Sequence, residues 1–256
     1  MNLGGVGGLG GESAVGTGHH VLLAHPFGEA HDPVGDGVRV LDDAGGVAER
    51  TGTRRGGPAR GGSAGRLPAV PRLIHLNGPP GIGKSVLAQL WAEDHPGALN
   101  LDIDRLRALI GGWRERFAET GEIVRPLALG MAGTHLRGGR DVVMPQYLGR
   151  LSEIERFEAA AHDAGAAFCE IVLMDTKEHA LERFARRGDD GDDEAAWHRY
   201  VQQLVERGGG QALLARMYDQ LTAVVAARPM ATVIPSTADA IPQAYQALTA
   251  ALSTVA

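Results

Sequence analysis

The chain has 256 residues, with 25 Lys plus Arg against 31 Asp plus Glu and a formal net charge of −6. That acidic balance disfavours nonspecific binding to a polyanion, and no apolar stretch is long enough to cross a membrane. The single cysteine, Cys169 in the apolar run AFCEIVLM, leaves no partner for an intrachain disulfide, so a reduced core thiol and a cytoplasmic location are expected.

Residues 1–70 hold about half of the 37 glycines and few apolar runs beyond VLLA and VRVL. Such a segment buries too little apolar surface to offset the entropy of ordering it. It reads as a disordered Gly-rich extension or a misplaced start, without the continuous apolar region of a secretory signal. His19, His20, His25 and His31 lie in it without the ligand spacing of a defined metal site and read as incidental. Residues 71–256 then form one domain.

That domain opens with an apolar run, Leu73, Ile74 and Leu76, of the kind a buried parallel strand needs, and Val86, Leu87, Leu90 and Trp91 follow at helical spacing. Between them lies Gly78-Pro79-Pro80-Gly81-Ile82-Gly83-Lys84-Ser85, continuing into Val86. Glycines at 78, 81 and 83 let successive N–H groups point at one anion, and the helix adds its positive end. Lys84 can reach the β- and γ-phosphates of a nucleoside triphosphate, and the Ser85 hydroxyl can ligate Mg²⁺. This is a Walker A pattern with both flanks correct. Lys84 and Lys177 are the only lysines in a chain that otherwise uses arginine, which sets the loop lysine apart.

Further strands are expected near 98–101, 141–144, 168–174 and 231–234, with helical periodicity between them, which is the pattern of a parallel sheet covered on both faces. The helix after residue 150 shows Leu151, Ile154, Phe157 and Ala161 at helical spacing. Ser152 and Glu155 have the spacing of a capping box at its start. In such sheets functional groups gather at the carboxyl ends of the strands. The second strand exits into LDIDRLR, and a helix starting near Asp104 would put Asp104 and Arg107 on one face of its first turn. A carboxylate there can accept a proton from a substrate hydroxyl while Arg107 orients the substrate. A simple N-cap explains Asp102 or Asp104 singly but not both. The third strand exits into Met144-Pro145-Gln146, where a Walker B strand would end in aspartate. Gln146 is either a contact to substrate or a Mg²⁺-bound water, or a polar loop residue, and metal coordination shifts towards Asp102. After the fourth strand Arg183 and Arg187 stand one helical turn apart before GDDGDDE. They read either as lid arginines that neutralise charge on a transferring phosphoryl group or as a solvated basic helix end. The fifth strand leads to Ser236 and Thr237, where the loop would pass near a purine base.

The ordered set of GxxxxGKS, LD-x-D-x-x-R and Arg-x-x-x-Arg resembles the P-loop small-molecule kinases. Chloramphenicol phosphotransferase, the zeta toxins, gluconate and adenylylsulfate kinases and the polynucleotide kinase 5′-end domains are similar at these points, over residues 71 to about 250. The resemblance implies a P-loop NTPase three-layer α/β sandwich, with a five-stranded parallel sheet in the order 2-3-1-4-5, helices on both faces and a helical lid. It implies ATP and Mg²⁺ as cofactors, phosphate binding by Gly78, Gly81, Gly83 and Lys84, metal at Ser85, a base at Asp104 and lid arginines at Arg183 and Arg187. Met144-Pro145-Gln146 departs from the pattern at the metal's second ligand.

The expected activity is transfer of the γ-phosphate of ATP to a small hydroxyl compound. A polynucleotide 5′-hydroxyl kinase and a P-loop ATPase or switch of AAA or GTPase type are the alternatives. AAA modules are larger and carry a hydrolytic Walker B carboxylate, and a GTPase would need NKxD; neither is found. A nucleic acid acceptor is disfavoured because the arginines are scattered among acids and no aromatic residues interleave with them. Residues 104–138 are expected to wall a compact pocket with Trp113, Arg114, Phe117 and Met131. If the extension is dispensable, deleting residues 1–70 should leave the melting temperature and nucleotide binding nearly unchanged. A large drop in melting temperature on truncation would mark it as structural.

Overall fold

A computed structural model describes residues 70–186, 193–238 and 240–254. The expected Gly-rich extension, apart from Val70, and Arg187 lie outside the described residues.

All five expected strands form: β1 (Arg72–Asn77), β2 (Leu99–Asn100), β3 (Val142–Pro145), β4 (Ala167–Met174) and β5 (Thr232–Pro235). They pair in parallel in the order β2-β3-β1-β4-β5, with Leu73 opposite Val142 on one side and Phe168 on the other. This is the order implied by the resemblance. Arg72 ties the entries of β1 and β3 together by donating from Nε and Nη2 to the Asp141 carboxylate at 3.1 and 2.7 Å.

Alternation along β1 sends its side chains to opposite faces of the sheet. Leu73 packs with Val142, Met144 and, from α3 (Phe117–Arg137) and α4 (Leu151–Asp163), Val124, Ile154 and Phe157. Ile74 and Leu76 face the other way, with Cys169 and, from α1 (Lys84–Asp94) and α8 (Ile241–Ser253), Leu87, Trp91 and Leu248. A third apolar cluster joins Tyr147 and Val172 to α5 (Lys177–Arg186), α6 (Asp193–Arg207) and α7 (Gln211–Ala227) through Phe184, Val205, Leu213 and Met217. Cys169 is buried and free, as expected. Among the described residues no helix is long and apolar enough to cross a membrane.

The capping box expected at Ser152 and Glu155 does not form. Helix α4 begins one residue earlier than Ser152, with Arg150 at the N-cap and no side-chain cap. The chain enters it from a segment already fixed by Asn77, which donates through Nδ2 to Leu148 O and accepts from Leu148 N, at 2.9 and 3.1 Å. Arg150 instead reaches into the first turn and meets Glu153 at 2.9 Å.

His75, fully buried on β1, has its Nε2 2.9 Å from Gln146 O. A carbonyl only accepts, so Nε2 carries the proton and Nδ1 stays bare. Burial is the main cause that lowers its pKa from 6.5 to about 4. Between those values the unfolded chain binds a proton that the folded chain refuses. The stability tied to His75 is therefore complete above about pH 6.5 and declines as pH falls through the window, by roughly 3 kcal/mol at most. His75→Asn should flatten this acid loss in denaturant titrations run at several pH values. An unaltered slope would assign the loss to other groups.

Candidate active site

The chain leaves β1 through a turn that only small residues can make. Gly78 has φ 150° and a Cβ on it would sit 2.7 Å from Leu173 O on β4, while Gly81 has φ 82° and a Cβ there would meet the backbone of Phe184 on α5 at 3.3 Å. Asn77 closes the start of the turn by accepting from Gly78 N at 2.9 Å. Gly83, with φ 105°, is the N-cap of α1, and Leu87 N bonds to its carbonyl. The result is a cradle of backbone at the N-terminus of an 11-residue helix, the geometry that holds a phosphate. In it Lys84 Nζ donates to Gly78 O and Pro79 O at 2.8 and 2.9 Å.

Of the loop residues, Pro80, Gly81, Lys84 and Ser85 line a cavity of about 420 Å³. Ile82 turns into the core, and Val86 is exposed on the outer side of α1. Asp102 and Asp104 line the same cavity from the exit of β2, so the two carboxylates and the Walker lysine and serine, separate in sequence, meet in one space.

The two aspartates are not equivalent. Asp102 is the N-cap of α2 (Ile103–Arg107), its Oδ1 accepting from Asp104 N and Arg105 N at 3.0 and 3.3 Å. The Asp104 carboxylate has no hydrogen-bond or ion-pair partner among the described residues. Burial first, and the Asp102 charge second, push its pKa up to about 6. The helix begins at Ile103, so Arg107 is the last residue of a five-residue helix and turns away from this cavity. It donates to Phe117 O at 2.8 Å, lies 3.9 Å from the Phe117 ring centroid and lines a second cavity. Asp104 and Arg107 act on each other electrostatically, as their spacing anticipated, but line different cavities.

Gln146, held by His75, lines both cavities, and its Oε1 has no hydrogen-bond partner among the described residues. Tyr147 also borders both, and its hydroxyl donates to Met217 O at 2.9 Å.

Arg183 reaches neither cavity lining. Its Nη1 donates to Ser236 O and its Nη2 to Ile82 O at 3.1 Å. Ser236 Oγ donates to the same Ile82 carbonyl at 3.0 Å, and the buried Asp175 carboxylate lies 3.7 Å from Arg183. The arginine thus fastens the glycine loop to the start of the segment after β5. Arg186 is exposed beside Glu182.

Of the pocket wall expected over residues 104–138, Phe117 lines the larger cavity, whereas Met131 is exposed and borders neither. Trp113 packs against Trp197 and Tyr200 of α6, at 5.1 and 5.0 Å between ring centroids, and Arg114 lies over the Trp113 ring. Aromatic and basic residues therefore do converge, through tertiary contacts that no local spacing reveals. They hold α6 against the α2–α3 connection, where Trp197 and His198 close one side of the larger cavity.

The family model described as an AAA domain matches residues 73–207, more than half of the chain. The chain belongs to this family, a family of P-loop kinases. No curated protein matches the chain. Among solved structures, a gluconokinase from Sinorhizobium meliloti 1021 is similar at 19% identity and TM-score 0.49, over 73% of this chain and 94% of its own. A tunicamycin resistance protein from Deinococcus radiodurans is similar at 20% identity and TM-score 0.36, over 59% and 95%. A deoxyadenosine kinase from M. mycoides is similar at 11% identity and TM-score 0.42, over 72% and 100%. The substrates in those names belong to those proteins.

Removing Arg183 frees both the Ile82 carbonyl and the segment at Ser236 from this shared clasp. Arg183→Ala should weaken ATP binding about tenfold, the worth of a charge-assisted hydrogen bond or two, as read by calorimetric titration. Unchanged affinity would mean the loop holds its shape without the clasp.

Proposed function

We propose that the chain transfers the γ-phosphoryl group of ATP to a hydroxyl of a small molecule. The observation that carries this reading is the Asp104 carboxylate, which borders the same cavity as Lys84 and Ser85 and has no partner of its own. Bound Mg²⁺–ATP supplies the phosphoryl group and part of the charge neutralisation.

The chain's own residues fit that cargo. A Cβ at Gly78 would strike Leu173 O on β4 at 2.7 Å, so only glycine allows the backbone path that aims successive N–H groups at phosphate oxygens. Lys84 exchanges its two loop carbonyls for phosphate oxygens. Ser85 and Asp102, which line the same cavity, would hold Mg²⁺, an ion that takes few protein ligands beside phosphates and waters. Asp104 accepts the proton of the acceptor hydroxyl on an Oδ, while Gln146, pinned from behind by His75, orients the acceptor. Phe117, Trp197, Val201 and Val205 make the far wall apolar, which excludes bulk water and favours an organic acceptor over hydrolysis.

Asp104→Asn should lower turnover roughly 10²–10⁴-fold with ATP affinity little changed, measured with labelled ATP across a panel of hydroxyl compounds. Should Asp102→Asn behave that way and Asp104→Asn not, the two roles are exchanged. Lys84→Ala should abolish ATP binding while circular dichroism stays native, because the lysine lies in the cradle and not in the core. Undiminished binding in that variant would sink the kinase reading altogether.

A further inference from the structure

The second cavity, about 160 Å³, adjoins the first, with Gln146 and Tyr147 in both walls. Arginines that look scattered in the sequence converge on it: Arg107, Arg125, Arg150, Arg156 and Arg216, with Glu153 as its single acidic lining residue. That corrects the expectation that arginines outside the lid are interspersed with acids. Glu153 is already shared, 3.4 Å from Arg125 and 2.9 Å from Arg150. Arg107 is 4% exposed, makes no ion pair among the described residues, and leaves its Nε without a partner. Its contacts are the Phe117 carbonyl and ring, and the acidic charge that acts on it most strongly is the Asp104 carboxylate. Five guanidiniums against one lining carboxylate make this wall net positive, and buried charge is costly unless it is matched. Such a wall favours an anion. The planar fork of arginine suits carboxylate and phosphate oxygens in pairs, and the space exceeds that of a few waters at about 30 Å³ each, enough for such a head group.

Resting on the kinase reading above, we propose that the acceptor is an anionic hydroxyl compound. Its carboxylate or phosphate group seats among these arginines while its hydroxyl extends past Gln146 towards Asp104. Exposed Arg216 and half-buried Arg150 admit the anion at the mouth, and the partly buried Arg125 and buried Arg107 receive it inside.

The test titrates the full chain with glycerol 3-phosphate, glycerate and glycerol, which share hydroxyls and differ in the head group. At least one of the two anions should bind about tenfold or more tightly than glycerol, and the stronger one tells phosphate from carboxylate. The double variant Arg150→Gln, Arg216→Gln should lose about tenfold or more of that affinity, whereas Lys84→Ala should keep it. Arg107→Lys, checked for native circular dichroism, keeps the charge and loses the fork, and should also bind the anion more weakly. The proposal is overturned if neither anion outbinds glycerol, if the arginine variants bind as the unaltered chain does, or if Lys84→Ala alone abolishes anion binding, which would place the anion in the glycine loop. Tighter binding of a 5′-hydroxyl oligonucleotide than of either anion overturns it as well. ATP titrated into the same chain separates the two readings: ATP binding without anion preference removes only this inference, whereas anion binding without ATP binding removes the kinase reading and with it the acceptor role, leaving an anion site.

Discussion

The exit of the chain from β1 is the constraint on which the rest of the molecule depends. At Gly78 a single added carbon would stand 2.7 Å from the carbonyl of Leu173, so the backbone can turn against β4 there only without a side chain. That close approach fixes the loop relative to the sheet, and Asn77 then uses one amide to fix both the loop and the segment after β3, accepting from Gly78 N and Leu148 N and donating to Leu148 O. His75, two residues earlier on the same face, bonds the carbonyl of Gln146. Two buried polar side chains on the central strand thus set the relative positions of the glycine cradle and of Gln146 and Tyr147, the residues that border both cavities.

Charge is divided around this frame in an uneven way. Asp102 spends one oxygen on capping α2, a local stabilisation worth about 1 kcal/mol, and so holds the start of that helix at the cavity wall. Asp104, next but one, has no such duty and stays open to the cavity. Arg107, three residues on, lines the smaller cavity, while its charge still acts on the Asp104 carboxylate. The larger cavity is consequently acidic opposite Lys84, and the smaller one is basic.

The helices that close the site are held by contacts of low sequence locality. Arg183 and Ser236 converge on one carbonyl, that of Ile82, which couples α5 and the segment after β5 to the glycine loop. Trp113, Trp197 and Tyr200 bring α6 against the α2–α3 connection. Tyr200 also donates to Arg114 O at 2.6 Å. These ties give α6 a defined seat over the cavity rather than leaving it to local propensity.

What the sequence determined by itself was the part written in short-range pattern. Apolar runs of strand length, helical spacing between them and a glycine-lysine-serine turn with both flanks correct specified the sheet, its exits and the glycine cradle, because those features follow from backbone sterics within a few residues. The ordered motifs also carried the family and, through it, the strand order. What only the tertiary structure decided was which side chains share a space. Burial and long-range hydrogen bonding govern that, and neither leaves a trace in local spacing. Asn77 and His75 look like ordinary strand residues until Leu148 and Gln146 are brought beside them. Ser152 and Glu155 have the spacing of a cap, yet the fixed entry into α4 starts the helix before them. Arg183 has the spacing of a lid residue and is placed on the glycine loop by a carbonyl 101 residues away. Five arginines dispersed over more than a hundred positions become one basic cavity, since a folded chain sums charge by distance in space and the sequence records it only by distance along the chain.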